Sequence, residues 1–239
     1  MGTLLAMMPG RVVVNGNPYR IVHYMPIECR DRPTTLREAR KHDRRAAIVA
    51  VARRSFLEEG YAATSMSGLL RTLGGSKATL WGYFPSKEAL FGAVIADVTA
   101  AFRRQVMDEL DAPGELDATL VNFCRSFMNK TGHADAVAIW RLVMAESGRF
   151  PEVGRIFYDH AAGHIERALA TYIAQQIAAR RLRDDGALDM ARVLIGMTAA
   201  QQNRRLWGVE PAGGAGMDAD ARRFVGYFLR LFAVGPRAE

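Results

Sequence analysis

Residues 74–91, GGSKATLWGYFPSKEALF, put a glycine pair, two serines, a threonine, two lysines, four aromatic rings and a proline into eighteen positions. The stretch is too aromatic for a solvated loop and too broken for one long helix. Its middle, residues 77–84, can form about two helical turns. At 100° per residue, Leu80 and Phe84 share one face and point inward. Ala78 and Gly82, also four apart, occupy the opposite face, where small side chains let a flat partner approach the backbone. Thr79 and Tyr83 flank that face on one side and Trp81 on the other. Hydroxyls and ring edges of this kind meet phosphates, base edges and thymine methyls. Lys87 opens the next helix, where its ammonium and the free backbone N–H groups can share a phosphate. The chemistry that fits is contact with DNA. The same spacing also suits a helical hairpin that packs its rings into a core, and spacing by itself leaves both open.

The elements that must hold this stretch are helical. DRRAAIVAVARRSFLEEG carries Ile48, Ala52 and Phe56 at i, i+4 and i+8, with Gly60 as a stop. SMSGLLRTLGG reads as a short helix capped by Ser65 and ended by Gly74, and Ser76 is placed to cap the helix after it. Helix, glycine turn, helix is the punctuation of a helix-turn-helix. After Pro85 and Ser86 a long helix sets Leu90, Val94, Val98 and Phe102 on one stripe, and DAPGE (111–115) is a plausible boundary. Five further helical segments follow, including one predicted to run from Pro151 to about Arg181. The last, near 219–234, aligns Ala221, Phe224, Val225, Phe228, Leu231 and Phe232 on one apolar face. Residues 1–36 differ: RVVVNGNPYRIVHY has a hairpin signal, but a lone hairpin is marginal in water, and this segment reads as a poorly ordered extension without assigned function.

Charge points the same way. The 239 residues carry +7, of which +6 falls in residues 1–110 (16 Lys and Arg against 10 Asp and Glu) and +1 in 111–239 (16 against 15). A basic half suggests a polyanionic partner, although mild basicity also serves solubility. REARKHDRR (37–45) gathers Arg37, Arg40, Lys41, Arg44 and Arg45, an arm that can reach phosphates or the minor groove, or simply a solvated helix start. No run approaches the roughly 18 apolar residues of a membrane span, and the start lacks a basic leader, so no signal peptide is expected. Cys29 and Cys124 look like separate thiols of a reducing compartment. A cytoplasmic protein is expected.

Residues 44–95 resemble the DNA-binding domain of TetR-type transcriptional regulators. The resemblance rests on Ile48, Ala52, Phe56, Gly60-Tyr61, Thr64-Ser65, Leu69, Gly74, Ser76-Lys77, Thr79-Leu80, Tyr83-Phe84, Ser86-Lys87-Glu88 and Leu90. WRLVMAESGRFPEVGRIFYDHA (140–161) further resembles the effector domain of the AefR-like branch. The resemblance implies an all-α fold, with a three-helix helix-turn-helix domain (37–91) and a helical ligand-binding and dimerisation domain (92–239). It implies a ligand-responsive repressor that binds a palindromic operator as a homodimer, with no enzymatic activity, no membrane attachment and no cofactor. Carried over by position, the DNA contacts are Arg44 and Arg45 of the arm, Ser65 and Ser67, then Lys77, Ala78, Thr79, Trp81, Gly82 and Tyr83, and Lys87.

The chain departs from the family's pattern at several places. Gly68 stands where an acidic residue usually completes a capping box with Ser65. Gly75 replaces a branched apolar residue, Leu70 and Leu73 replace alanine, and Trp81 replaces tyrosine. Each glycine is expected to loosen the head by about 1 kcal/mol relative to alanine. Those glycines keep a second reading open, a helical ligand-binding or adaptor protein with a degenerate head.

Residues 115–239 hold no HExxH, P-loop or dinucleotide fingerprint, so an enzyme on a helical scaffold finds no support. His160 and His164 have metal-ligand spacing but no evident third ligand, and no metal is expected. Phe102, Phe127, Met128, Trp140, Met144, Phe157 and His160 are candidates to line a pocket for a small apolar effector, or are plain core. Val193, Met197, Phe224, Phe228, Leu231 and Phe232 are candidates for the dimer seam, although some must serve the protomer's own core.

Overall fold

The computed structural model describes residues 35–209 and 216–235. The expected extension 1–36 therefore lies almost wholly outside the described residues, as do residues 210–215 of the Gly/Pro loop. Among the described residues there are ten α-helices: α1 (Leu36–Ala63), α2 (Met66–Leu73), α3 (Lys77–Tyr83), α4 (Lys87–Asp111), α5 (Leu116–Gly132), α6 (Ala134–Glu146), α7 (Pro151–Phe157), α8 (Gly163–Ala178), α9 (Ala187–Leu206) and α10 (Met217–Phe232). The fold class is all-α. The one β-type contact among these residues is an isolated bridge between Leu182 and Ala233, which fastens the α8–α9 connection to the end of α10. The chain divides into two compact units, Met1–Arg40 and Lys41–Glu239. Of the first, the described residues are the start of α1, closed by a reciprocal pair. Glu38 N donates to Thr35 Oγ1 at 3.2 Å and Thr35 N donates to Glu38 Oε2 at 3.1 Å, a capping box.

In the second unit the helix ends follow the sequence signals closely. Ser65 Oγ accepts from Gly68 N, Ser76 Oγ from Thr79 N and Ser86 Oγ from Ala89 N, at 3.0, 3.1 and 3.1 Å. Each satisfies an orphan donor in a first turn. Gly74 ends α2 with φ 65°, and its N–H returns to Leu70 O at 2.9 Å. Gly60 does not stop α1. It kinks the helix at φ 86°, and the rod resumes to Ala63. That kink turns Tyr61 into the core, where its ring lies 5.8 Å from Phe56 and 5.3 Å from Phe91.

Two apolar clusters organise this unit. One gathers Ile48, Ala52, Phe56, Tyr61, Leu69, Leu80, Phe84, Leu90 and Phe91, and continues into Ile139, Val143 and Val153 of α6 and α7. The other gathers Phe102, Val106, Phe123, Met128, Leu169, Ile173, Leu194, Phe224 and Phe228 from α4, α5, α8, α9 and α10. α4 contributes to both, so its N-terminal half belongs to the helix-turn-helix core and its C-terminal half to the bundle. The segment expected as one helix from Pro151 onward is interrupted by a π-helical turn at Tyr158–Ala162, between α7 and α8.

Candidate nucleic-acid interface

α2 and α3 are set against α1 by Leu69, Leu80 and Phe84, each at most 3% exposed. Burying Leu80 and Phe84 turns the opposite side of α3 outward. Lys77, Ala78, Thr79 and Gly82 are exposed there, and a Cβ built on Gly82 would meet nothing within 4 Å. Trp81 and Tyr83 are half-buried and pack by their inner edges on the head core. The Lys77 ammonium lies 5.1 Å from the centre of the Trp81 ring, which holds a cation beside the small face. Thr79 Oγ1 is 2.8 Å from Ser76 Oγ. Ser65 and Ser67 are exposed near the start of α2. The residues expected to face DNA from α3 therefore share its outer side, a small centre with a hydroxyl, ring edges and a lysine around it.

Three basic residues have protein partners in this conformation. Arg44 Nη2 donates to Gly74 O at 2.8 Å and to Leu73 O at 3.3 Å, so it caps the last carbonyls of α2 and pins the turn. Arg45 is exposed, with its guanidinium 5.1 Å from the Phe84 ring centre. Lys87 Nζ donates to Tyr61 O at 2.9 Å and sits 4.2 Å over the Tyr61 ring and 5.8 Å from Phe150. As placed, Lys87 locks α4 to α1 and is not a free ammonium at the surface.

The glycines that looked like weak points have local reasons. Gly75 has φ 98°, and a Cβ there would come within 3.2 Å of Arg44 Nη2, so the turn needs glycine for both conformation and space. A Cβ on Gly68 would fall 3.1 Å from Ser65 Oγ, the oxygen that caps the Gly68 N–H. Leu70 and Leu73 pack against the head core as larger side chains should.

The head core also reaches α6 and α7. Phe150 stacks edge-on to Tyr61 at 5.5 Å. Glu146 Oε1 accepts from Ala62 N at 3.2 Å, and Arg53 pairs with Asp135. Tyr61 Oη donates to Glu88 Oε1 at 3.3 Å. Burial, then the charges of Glu88 and Glu152, push the Tyr61 phenol above its ordinary range. Hydrogen bonds from the Ser86 side chain and from its own backbone N–H hold Glu88 below the usual carboxylate range. No local pattern in the sequence marks this interlock, because its contacts from Arg53, Tyr61 and Ala62 to α4, α6 and Phe150 join residues 26 or more apart.

The pocket candidates are not brought together in one place. Phe102, Phe127 and Met128 pack in the bundle cluster, with Phe127 6.2 Å from Phe102 and 5.9 Å from Phe123. Trp140 and Phe157 pair edge-to-face at 5.2 Å. His160 lies against α4. Met144 is 67% exposed and lines no interior. The seam candidates divide as well. Phe228 and Phe224 are buried within the protomer, so they belong to its own core, not to a free seam; Met197 and Phe232 are partly buried against that core. Of the seam candidates, Val193 at 38% and Leu231 at 48% stay exposed, and Tyr227 of the same helix as Leu231 is 44% exposed. Among the described residues no group of three or more His, Cys, Asp or Glu is arranged to hold a metal ion. None of their helices is long and apolar enough to cross a membrane.

Residues 48–94 match the family described as bacterial regulatory proteins, tetR family, and residues 118–234 match the AefR-like transcriptional repressor C-terminal domain. The chain belongs to the TetR family. The HTH-type transcriptional regulator BetI of Rhizobium meliloti (strain 1021) is 32% identical over 121 residues, which are 49% of this chain and 59% of BetI. The chain thus spans well under two thirds of that curated relative. Among solved structures, the flavonoid-responsive regulator FrrA is 29% identical, with a TM-score of 0.70 over 82% of this chain and 100% of FrrA. A TetR-family regulator from Mesorhizobium loti MAFF303099 shares the fold with a TM-score of 0.69 over 82% of this chain and 99% of its own, at 21% identity. The family is one of transcriptional regulators, and the helix-turn-helix surface of this chain lies inside the first matched segment.

Proposed function

We propose that this protein is a DNA-binding, ligand-responsive transcriptional repressor of the cytoplasm, not an enzyme, that reads a palindromic operator as a homodimer. The observation that carries the reading is the exposed small face of α3, Ala78 and Gly82 beside Lys77 and Thr79, held outward by the burial of Leu80 and Phe84. A major groove takes a helix whose contacting face is short enough for hydroxyl and ammonium groups to reach base edges and phosphates. Residues 37–91 are the reading head, with Arg44 and Arg45 at its edge, Arg44 acting through the turn it pins. Residues 92–239 hold the effector and the dimer seam, to which Val193 of α9 and Tyr227 and Leu231 of α10 offer exposed apolar surface.

Regulation follows from the shared helix. A ligand that prefers one setting of α4 against α6–α8 shifts the population of heads competent for DNA by that preference alone. Lys87, Tyr61 and Phe150 carry the shift, since they bind the start of α4 to α1 and to the residue before α7. An organic effector with apolar surface is favoured by the aromatic content of the bundle. That FrrA responds to flavonoids agrees with an organic effector here and does not identify it. A gel shift on the DNA upstream of the protein's own gene, repeated over a salt series, tests the reading. A retarded band that weakens steeply with salt supports it, and no band at low salt contradicts it.

A further inference from the structure

A polar patch lies along the packing of α4 on the rod that ends in α8. Gly92, Thr99 and Arg103 lie on one stripe of α4, seven and four residues apart. Against them stands the rod that runs from the π-turn into α8. A Cβ on Gly92 would fall 3.0 Å from His160 Nε2, so the imidazole lies close against the α4 backbone. Thr99 Oγ1 is 3.3 Å from His160 O. The π-turn at Tyr158–Ala162 carries His160, and such turns recur at functional sites. The Nε of Arg103 is buried and meets no acceptor. On α8, Glu166, two residues from His164, is engaged elsewhere: Tyr158 Oη donates to it at 2.9 Å and Arg192 Nε reaches it at 3.4 Å. A buried charged donor left without an acceptor is costly, and native structures rarely keep one without a reason.

We propose that Arg103 and His164, with His160 beside them, form the anion-recognition point of the effector site, and that the effector is an organic carboxylate. The proposal rests on the ligand-responsive reading above. The surroundings favour an anion. The charged groups that reach His164 are Arg103 from α4 and His160, Arg167 and Asp159 from its own rod, three cationic or titratable nitrogen groups against one carboxylate. Arg192 of α9, which packs on α8, is held by Glu166 and Asp189. Burial first, then Arg103 and Arg167, hold the His164 imidazole below its ordinary range. A carboxylate between Arg103 and His164 satisfies the orphan Nε and favours the protonated imidazole, so binding takes up a proton and tightens as the pH falls.

Benzoate and its neutral isostere benzamide are the probes. In the full-length protein, the titration of the His164 imidazole is followed by NMR with each at equal concentration. Benzoate is expected to raise the His164 midpoint by about one pH unit or more, as an opposite charge within a few ångströms does, and benzamide to leave it unmoved. Arg103→Gln should abolish the benzoate response and Arg103→Lys should keep part of it. His164→Gln should retain the fold and lose the pH dependence of benzoate affinity. Equal effects of benzoate and benzamide, or a full benzoate response in Arg103→Gln, overturn the proposal. Ligand-free DNA binding is measured on the same samples. Intact DNA binding with no anion response removes this proposal alone, whereas absent DNA binding removes the reading beneath it.

Discussion

Gly75→Ala tests how the reading helix is held, and the structure sets its size. Gly75 has φ 98°, where a Cβ-bearing residue is disfavoured by about 1–2 kcal/mol. The new methyl would also sit 3.2 Å from Arg44 Nη2. That guanidinium nitrogen makes a 2.8 Å bond to Gly74 O and a 3.3 Å bond to Leu73 O, and a hydrogen bond that involves a charged group contributes about 1.5–3 kcal/mol when well made. Arg44 is only partly buried, so about 1 kcal/mol is the share at risk. The turn should lose about 2–3 kcal/mol, a roughly thirty- to 150-fold fall in amide-exchange protection at Leu80 and Phe84 if the head opens locally. Arg44→Met alone should cost about 1 kcal/mol, and Gly75→Ala in that background only its backbone share. The double-mutant cycle therefore predicts a coupling of about 1 kcal/mol. Hydrogen exchange read by mass spectrometry or NMR measures all four states. Unchanged protection in Gly75→Ala, or strict additivity with Arg44→Met, refutes the account of the turn.

Gly82→Glu should abolish DNA binding in a gel shift while leaving the helical circular dichroism intact, because it sets bulk and negative charge on the open face of α3. Phe228→Arg buries a charge beside Phe232, whose ring lies 4.9 Å away, and should destabilise the protomer by several kcal/mol; Leu231→Arg should keep the melting temperature and convert dimers to monomers in sedimentation. Burial pushes the Cys124 thiol up to about 12, so in a Cys29→Ser variant iodoacetamide at pH 8 should modify nothing until denaturant is added. His164 has a lowered pKa, so the unfolded chain binds its proton more tightly than the folded one. Its stability contribution is present above the unfolded value near 6.5 and lost as the pH falls through the folded value. His164→Gln should therefore lose less melting temperature between about pH 7 and pH 5 than the wild type does.

Much of the head was legible because its signals are local. Ser65, Ser76 and Ser86 each cap a donor three residues ahead, and the Leu80/Phe84 pair fixes which side of α3 turns outward. Gly60 was readable as an irregularity but not as a kink, since its Cβ-free conformation permits several outcomes and the packing of Tyr61 chose among them. Arg44 looked like part of a basic arm. Its true neighbour, the end of α2, lies thirty residues away, and no periodicity reveals that. Lys87 shows the same limit: its spacing suits a phosphate clamp, and the fold also brings Tyr61 O within its hydrogen-bond reach. In the bundle, a helical face shows that Phe228 and Leu231 are apolar, but not that one meets α5 and α9 within the protomer while the other remains outside. The π-turn was not legible, because the phase shift of one inserted residue is small against the irregular apolar pattern of so short a stretch. Arg103 gave no signal on its own, since whether its Nε meets an acceptor depends on packing that no local pattern reports.

The central claim is that α3 reads DNA in a paired arrangement, and selection of bound sequences from random duplex DNA tests it most directly. A dimer that presents two copies of Lys77, Thr79 and the Ala78–Gly82 face should enrich an inverted repeat with half-sites about 34 Å apart, one helical turn, or a multiple of that spacing, and Gly82→Glu carried in parallel should enrich nothing. Failure of the wild type to enrich any sequence at low salt, or enrichment of the same repeat by Gly82→Glu, would contradict the account.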